Sequence, residues 1–175
     1  MNKKLLAAIG FVVLALAFVA YTSSQVQYGP VVFYGQIYGD VAGSTMTLTD
    51  QGTWYKIESF VAAGPPGHAV TQDAAGSRMV TQFAGVYQIG FTCSFEGSAN
   101  STYEIQAASD GVPVPGVRSV TQTQVGGAVA VSAVGLASLA VGQAVTLQVK
   151  CTSGPKRVFT PLSVSLSVVK YGAVL

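Results

Sequence analysis

The sequence predicts an all-β antiparallel two-sheet sandwich of about ten strands, preceded by one N-terminal apolar helix. Segments rich in β-branched and aromatic residues are separated at short intervals by Gly, Pro, Asn and Asp, and no amphipathic helical stretch interrupts them. Half of the 175 residues are hydrophobic and 9% are charged. This composition excludes a disordered chain and a charged helical bundle.

Residues 1–24 are predicted to be a membrane anchor or a cleaved signal peptide. Lys3 and Lys4 precede an apolar run over residues 5–20. Its bulky members are Leu5, Ile9, Phe11, Val12, Val13, Leu14, Leu16, Phe18 and Val19. A helix of this length rises about 24 Å against a hydrocarbon core of about 30 Å, so length alone decides for neither alternative. In both cases the lysines favour a cytoplasmic N-terminus and a C-terminal domain outside the cytoplasm.

Residues 25–175 are predicted to form one domain, because about 150 residues are the usual size of a single core. The candidate strands cover residues 31–38, 45–49, 53–60, 78–82, 86–94, 102–107, 118–124, 128–134, 144–152 and 163–170. Residues 110–115 and Gly126-Gly127 read as turns. The stretch over residues 27–38 has aromatic residues on both parities, which indicates a strand buried on two sides or a contact between subunits.

The two cysteines, Cys93 and Cys151, both fall on the apolar parity of a predicted strand. Two such strands can meet across a sandwich core, where oxidation outside the cytoplasm would join the thiols. The alternative is two small buried hydrophobes that never meet. With His68 as the sole histidine, the chain lacks the ligands for a zinc cage.

Catalytic, cofactor and metal sites are not predicted, so the chain is not expected to be an enzyme. His68 lies in a Gly/Pro loop and is expected to be solvated, without the partners of a hydrolytic triad. The acidic residues show no spacing that demands a carboxylate pair, although strand ends could bring Glu96 and Glu104 together. The net charge of +2 comes from scattered Lys and Arg, so no nucleic-acid partner is expected.

Two segments resemble the jelly rolls of the tumour necrosis factor-like and complement globular-head superfamily. The run AGVYQIGF over residues 84–91, followed by Ser94-Phe95, resembles its Gly-x-Tyr-x-Phe strand. Residues 139–147 resemble its Leu-x-x-Gly-Asp-x-Val-x-Leu strand entry, with Gln143 at the commonly acidic position. Order and spacing agree over residues 53–170. The resemblance implies a ten-stranded jelly roll that trimerises about a threefold axis.

Such domains occur in phage and other viral particles, and this sequence is similar to them in its small, uncharged polar faces. The resemblance therefore implies a non-enzymatic virion protein, a spike, capsid-associated or host-attachment component anchored in lipid. Its expected partners are further copies of itself, a lipid bilayer, and other virion proteins or a cell-surface glycan. The alternative is an exported bacterial trimeric lectin or adhesin, in which Trp54 or Tyr103 would bind sugar.

Overall fold

The computed structural model describes residues 34–39, 44–65 and 67–171, which form two antiparallel sheets. In chain order the strands are β1 (Tyr34–Gly39), β2 (Met46–Leu48), β3 (Tyr55–Lys56), β4 (Ala62–Ala63), β5 (Val70–Asp73), β6 (Arg78–Thr81), β7 (Gly85–Gly97), β8 (Thr102–Ser109), β9 (Val112–Gln122), β10 (Ala128–Leu139), β11 (Ala144–Cys151) and β12 (Arg157–Lys170). The predicted all-β, two-sheet class is confirmed, with twelve strands instead of about ten. The predicted helix over residues 5–20 lies outside the described residues.

The first sheet has the order β10-β7-β12-β1-β4, and β2 also pairs with β12. The second has the order β5-β6-β11-β8-β9, and β3 also pairs with β11. The chain crosses from one sheet to the other between several consecutive long strands: β7 is followed by β8 in the opposite sheet, and β11 by β12. These crossings place one face of each sheet against the other and leave the second face outward.

The core lies between the sheets and follows the alternation read from the sequence. On β7 the side chains of Tyr87, Ile89, Phe91, Cys93 and Phe95 are all buried, whereas the intervening residues are more exposed apart from Gly90. An aromatic cluster closes one end of the core: the ring of Phe95 lies 5.3 Å from that of Tyr103 and 4.6 Å from that of Phe159. Edge-to-face and tilted contacts of this kind add to the apolar burial.

Strand prediction was wrong for the first residues of β9 and for β4 and β5. The segment 110–115 is not a turn throughout, because only Asp110 and Gly111 turn and β9 already begins at Val112. Pro113 and Pro115 are accommodated because β9 is the edge strand of its sheet, where a missing N–H breaks fewer ladder bonds. The two-residue β4 and the four-residue β5 were not predicted at all.

Gly135 allows the two sheets to approach each other at the β9 and β10 edge. A Cβ added to Gly135 would lie 2.8 Å from Val117 Cγ2 and 3.0 Å from the carbonyl oxygen of Pro115. The absence of a side chain at this inward position therefore lets β9 pack directly on β10. The outward face of β10 is fixed in place as a result.

Candidate functional site

The outward face of the first sheet is the candidate functional site, and we call it the assembly face. It consists of fifteen outward-pointing residues on four neighbouring strands, and none of these fifteen is charged. They are Tyr34, Gln36, Tyr38, Gln88, Gly90, Thr92, Ser94, Ala130, Ser132, Val134, Leu136, Ser163, Ser165, Ser167 and Val169. Glu96 and Lys170 stand at the opposite ends of these strands.

Small residues on adjacent strands produce a hollow in the assembly face. In the ladder Gly90 lies between Val134 on β10 and Ser167 on β12, and Thr92 lies between Ser132 and Ser165. The hollow measures about 450 Å³. Ser167 Oγ donates to the carbonyl oxygen of Gly90 at 3.2 Å. Ser165 Oγ accepts a hydrogen bond from Gln36 Nε2 at 2.9 Å. The hollow has a shape that can receive a side chain from another molecule.

Apolar side chains stand exposed beside this hollow. Val134 and Leu136 are 58% and 59% exposed on β10, and Tyr38 is exposed on β1. A face that is uncharged, partly apolar and hollowed has the composition of a protein interface core, where charged residues are depleted. The arrangement can bury these side chains against a second surface without desolvating a charge.

The outward face of the second sheet differs, because it carries ion pairs. The Glu104 carboxylate accepts a hydrogen bond from the guanidinium of Arg118 and forms an ion pair with Lys150, whose Nζ lies 3.1 Å from Glu104 Oε2. Lys150 Nζ in turn lies 4.6 Å from the centre of the Trp54 ring. The charged side chains of the second sheet thus pair with one another, whereas the assembly face of the first sheet carries no charge to pair.

Comparison with solved structures identifies the fold. The Eiger tumour necrosis factor from S. frugiperda matches with a TM-score of 0.53 and 13% identity over 82% of this chain and 95% of that one. Murine APRIL at pH 5.0 matches with a TM-score of 0.51 and 13% identity, over 79% of this chain and 99% of that one. The globular domain of zebrafish complement 1qA protein matches with a TM-score of 0.50 and 13% identity, over 80% of this chain and 98% of that one. The chain has the jelly-roll fold of the tumour necrosis factor and complement globular-head superfamily. No protein-family model and no curated protein sequence matches it.

The two cysteines of this jelly roll are buried in opposite sheets, Cys93 in β7 and Cys151 at the end of β11. Both are free thiols in the structure. Burial raises the pKa of the Cys93 thiol to about 12, so at neutral pH it is protonated and a poor nucleophile. A disulfide between them stays a prediction from the sequence.

The remaining predicted residues are dispersed over the jelly roll. His68 is exposed in the loop before β5, as the sequence predicted. Glu96 and Glu104 do not meet, because Glu96 points outward from the first sheet and Glu104 outward from the second. Among the described residues no group of three His, Cys, Asp or Glu side chains could hold a metal ion.

A sugar-binding role for Tyr103 is wrong, because this side chain is fully buried in the core. Its hydroxyl donates to the carbonyl oxygen of Val158 and accepts from the N–H of Ser98 at 2.9 Å. Trp54 is half-buried and packs against Lys150 instead of standing free on a loop.

The membrane-segment residues Leu5, Ile9, Phe11, Val12, Val13, Leu14, Leu16, Phe18 and Val19 lie outside the described residues. Within the described part of the chain, the structure has no helix long and apolar enough to cross a bilayer.

The assembly face itself was only partly visible in the sequence. The alternation on residues 128–139 shows which residues share a face, but Ala, Val and Leu occupy both parities. Which parity points outward depends on the strand order, and strand order is a long-range property. The one available signal for a contact between subunits was the pair of aromatic residues Tyr34 and Tyr38 on one side of the same strand, and both lie on the assembly face.

Proposed function

We propose that this chain is a non-enzymatic assembly protein that works as a homotrimer built through the assembly face. Residues 5–20 hold it to a lipid layer, and the setting is a virion, in which the domain is a spike, capsid-associated or attachment component. The observation that carries the proposal is the assembly face, whose fifteen outward residues on four described strands carry no charge, with Glu96 outward only at the end of β7.

The physical argument for assembly begins with the exposed apolar side chains. Val134 and Leu136 would remain in water in a lone chain, beside a hollow with nothing to fill it. Packing a second copy on this face removes both side chains from water and fills the hollow. Three copies follow from the sequence resemblance, which implies a threefold axis. In a closed ring of three copies, every copy makes the same contacts with its neighbours.

A matched pair of lysine variants tests the assembly face. Val134 on the first sheet and Val120 on the second are equally exposed in the lone chain, at 58% and 55%. Val134→Lys would bury a charge at the interface and is expected to convert the trimer to a monomer. Val120→Lys faces solvent opposite Glu104 and is expected to leave the trimer intact.

The measurement is sedimentation equilibrium of the full chain in a density-matched nonionic detergent, with circular dichroism to verify that both variants are folded. A folded, trimeric Val134→Lys variant would contradict the proposed interface. Loss of the trimer in both variants would also contradict it, because the effect would then not depend on the face that carries the charge.

The virion setting has its own test. Particles purified on a density gradient from a culture that makes the protein are expected to contain the full-length chain of 18.0 kDa. A chain shortened at its N-terminus and found free in the medium would contradict both the tether and the virion setting.

A further inference from the structure

One end of the sandwich is formed by three turns, which together we call the tip. They are residues 82–84 between β6 and β7, residues 110–111 between β8 and β9, and residues 140–143 between β10 and β11. Hydrogen bonds join them: the N–H of Gly142 donates to the carbonyl oxygen of Thr81 at 2.8 Å, and the N–H of Asp110 donates to that of Ala144 at 2.9 Å. The tip is therefore one continuous surface.

The tip presents an apolar side chain from, or directly after, each turn. Phe83, Val112 and Val141 are all exposed. Asp110 is the one charged residue in the three turns, and its Oδ1 already accepts a hydrogen bond from the N–H of Ala144 at 3.0 Å. The three turns thus combine exposed apolar side chains with one charged residue, and Lys170 at the end of β12 lies against Gly85 beside them.

The opposite end of the sandwich carries more charged residues than the tip. Asp50, Glu96, Lys156 and Arg157 lie there, around the start of β12 and the end of β7. Exposed apolar side chains of that end are Val125, in the turn between β9 and β10, and Val158, beside Arg157 on β12. Four charged residues thus lie at this end of the described domain, which we call the charged end, against Asp110 and Lys170 at the tip.

The chain enters the domain at the tip. Tyr34, the first residue of β1, pairs with Val169, next to Lys170, which pairs with Tyr87 near the start of β7. Residues 21–33 are the thirteen residues between the apolar run and β1. Thirteen residues span at most about 45 Å even when fully extended. A tether through residues 5–20 is therefore joined to the domain at the tip and not at the charged end.

We propose that the tip is a lipid-contacting surface, whose apolar side chains insert into the head-group layer of the bilayer that holds the chain. Phe83, Val112 and Val141 are the inserting side chains. This proposal rests on the tether of the proposed function. Because the turns contribute no excess of positive charge, the contact is apolar in origin, and a zwitterionic phosphatidylcholine surface suffices without anionic lipid.

Two valines in equivalent turns provide a matched test of this proposal. Val141 and Val125 each precede a glycine with positive φ, Gly142 at 82° and Gly126 at 68°, and are 64% and 80% exposed. Each is replaced singly, as Val141→Cys or Val125→Cys, in the full chain and labelled with an environment-sensitive fluorophore. The native thiols of Cys93 and Cys151 are buried and do not compete for the label.

The labelled chains are reconstituted into phosphatidylcholine vesicles that contain nitroxide-bearing phosphatidylcholine. The label at position 141 is expected to be quenched by about half or more, and the label at position 125 to change little. Addition of 0.5 M salt, about fivefold above a 0.1 M ionic strength, is expected to leave the quenching unchanged.

The experiment distinguishes failure of the proposed tether from failure of the proposed tip contact. A chain that washes off the vesicles overturns both proposals. A chain that stays on the vesicles while its position 141 label is not quenched overturns the tip contact and leaves the tether in place. Quenching at position 125 instead would place the charged end at the lipid and overturn the orientation argued here. Protection of position 141 from water without lipid quenching would indicate a protein partner, and would equally overturn the proposal.

Discussion

Truncation of Leu136 to alanine is expected to weaken the trimer far more than it weakens the fold. Leu136 is 59% exposed in the lone chain, so more than half of its side chain is available for burial on assembly. Complete burial of a leucine is worth about 1.5–3 kcal/mol, and the part that assembly can add is about 1 kcal/mol per copy. Three copies lose about 3 kcal/mol, which raises the trimer dissociation constant about a hundredfold.

Sedimentation equilibrium of the full chain over a range of concentrations measures this constant directly. Val120→Ala is the control, because Val120 has similar exposure on the charged second sheet and is expected to change the constant less than about twofold. Urea unfolding at concentrations where both proteins are monomeric shows whether the fold is affected. A Leu136→Ala constant within about threefold of wild type would refute the claim that this side chain is buried between copies.

Three further predictions concern the fold beneath the assembly face. Phe159→Ala removes a fully buried ring from the aromatic cluster and is expected to lower the free energy of unfolding by about 3–5 kcal/mol in urea, with Phe159→Leu recovering much of the loss. Cys93 and Cys151 are expected to resist a thiol reagent in the native protein at pH 8 and to react after unfolding without reductant; failure to react after unfolding would show that they were oxidised. The N–H of Gly76 and the Arg78 guanidinium lower the pKa of Asp73, so the stability from this carboxylate is present above its unfolded pKa and is lost as pH falls through the folded one. Melting temperatures of wild type and Asp73→Asn should therefore converge below about pH 4, and an unchanged gap would contradict this.

The sequence was sufficient for the strands with strong alternation. On β7 and β11 every second side chain is buried, and both strands were predicted close to their observed limits. The prediction over residues 118–124 matches the second half of β9 but missed its first half, because proline normally argues against a strand and only the edge position of β9 permits it. Prediction failed for β4 and β5 because two to four residues carry too little pattern to read.

The candidate site was harder to predict than the fold, for a physical reason. An assembly face has no chemical signature like that of a metal cage or a catalytic triad, since it consists of ordinary serines, threonines and aliphatic residues. Its character comes from the alignment of β1, β12, β7 and β10 side by side, which brings Gly90 next to Val134 and Ser167. These residues are separated by 44 or 77 positions in the chain, so local pattern could not reveal that they are neighbours.

The central claim is that three copies of this chain associate through the assembly face. Native mass spectrometry of the wild-type full chain, released from detergent micelles at micromolar concentration, tests it most directly. The account predicts a species of three times 18.0 kDa that persists on dilution and disappears in Val134→Lys. A wild-type protein that remains a folded 18.0 kDa monomer across the same concentrations would contradict it.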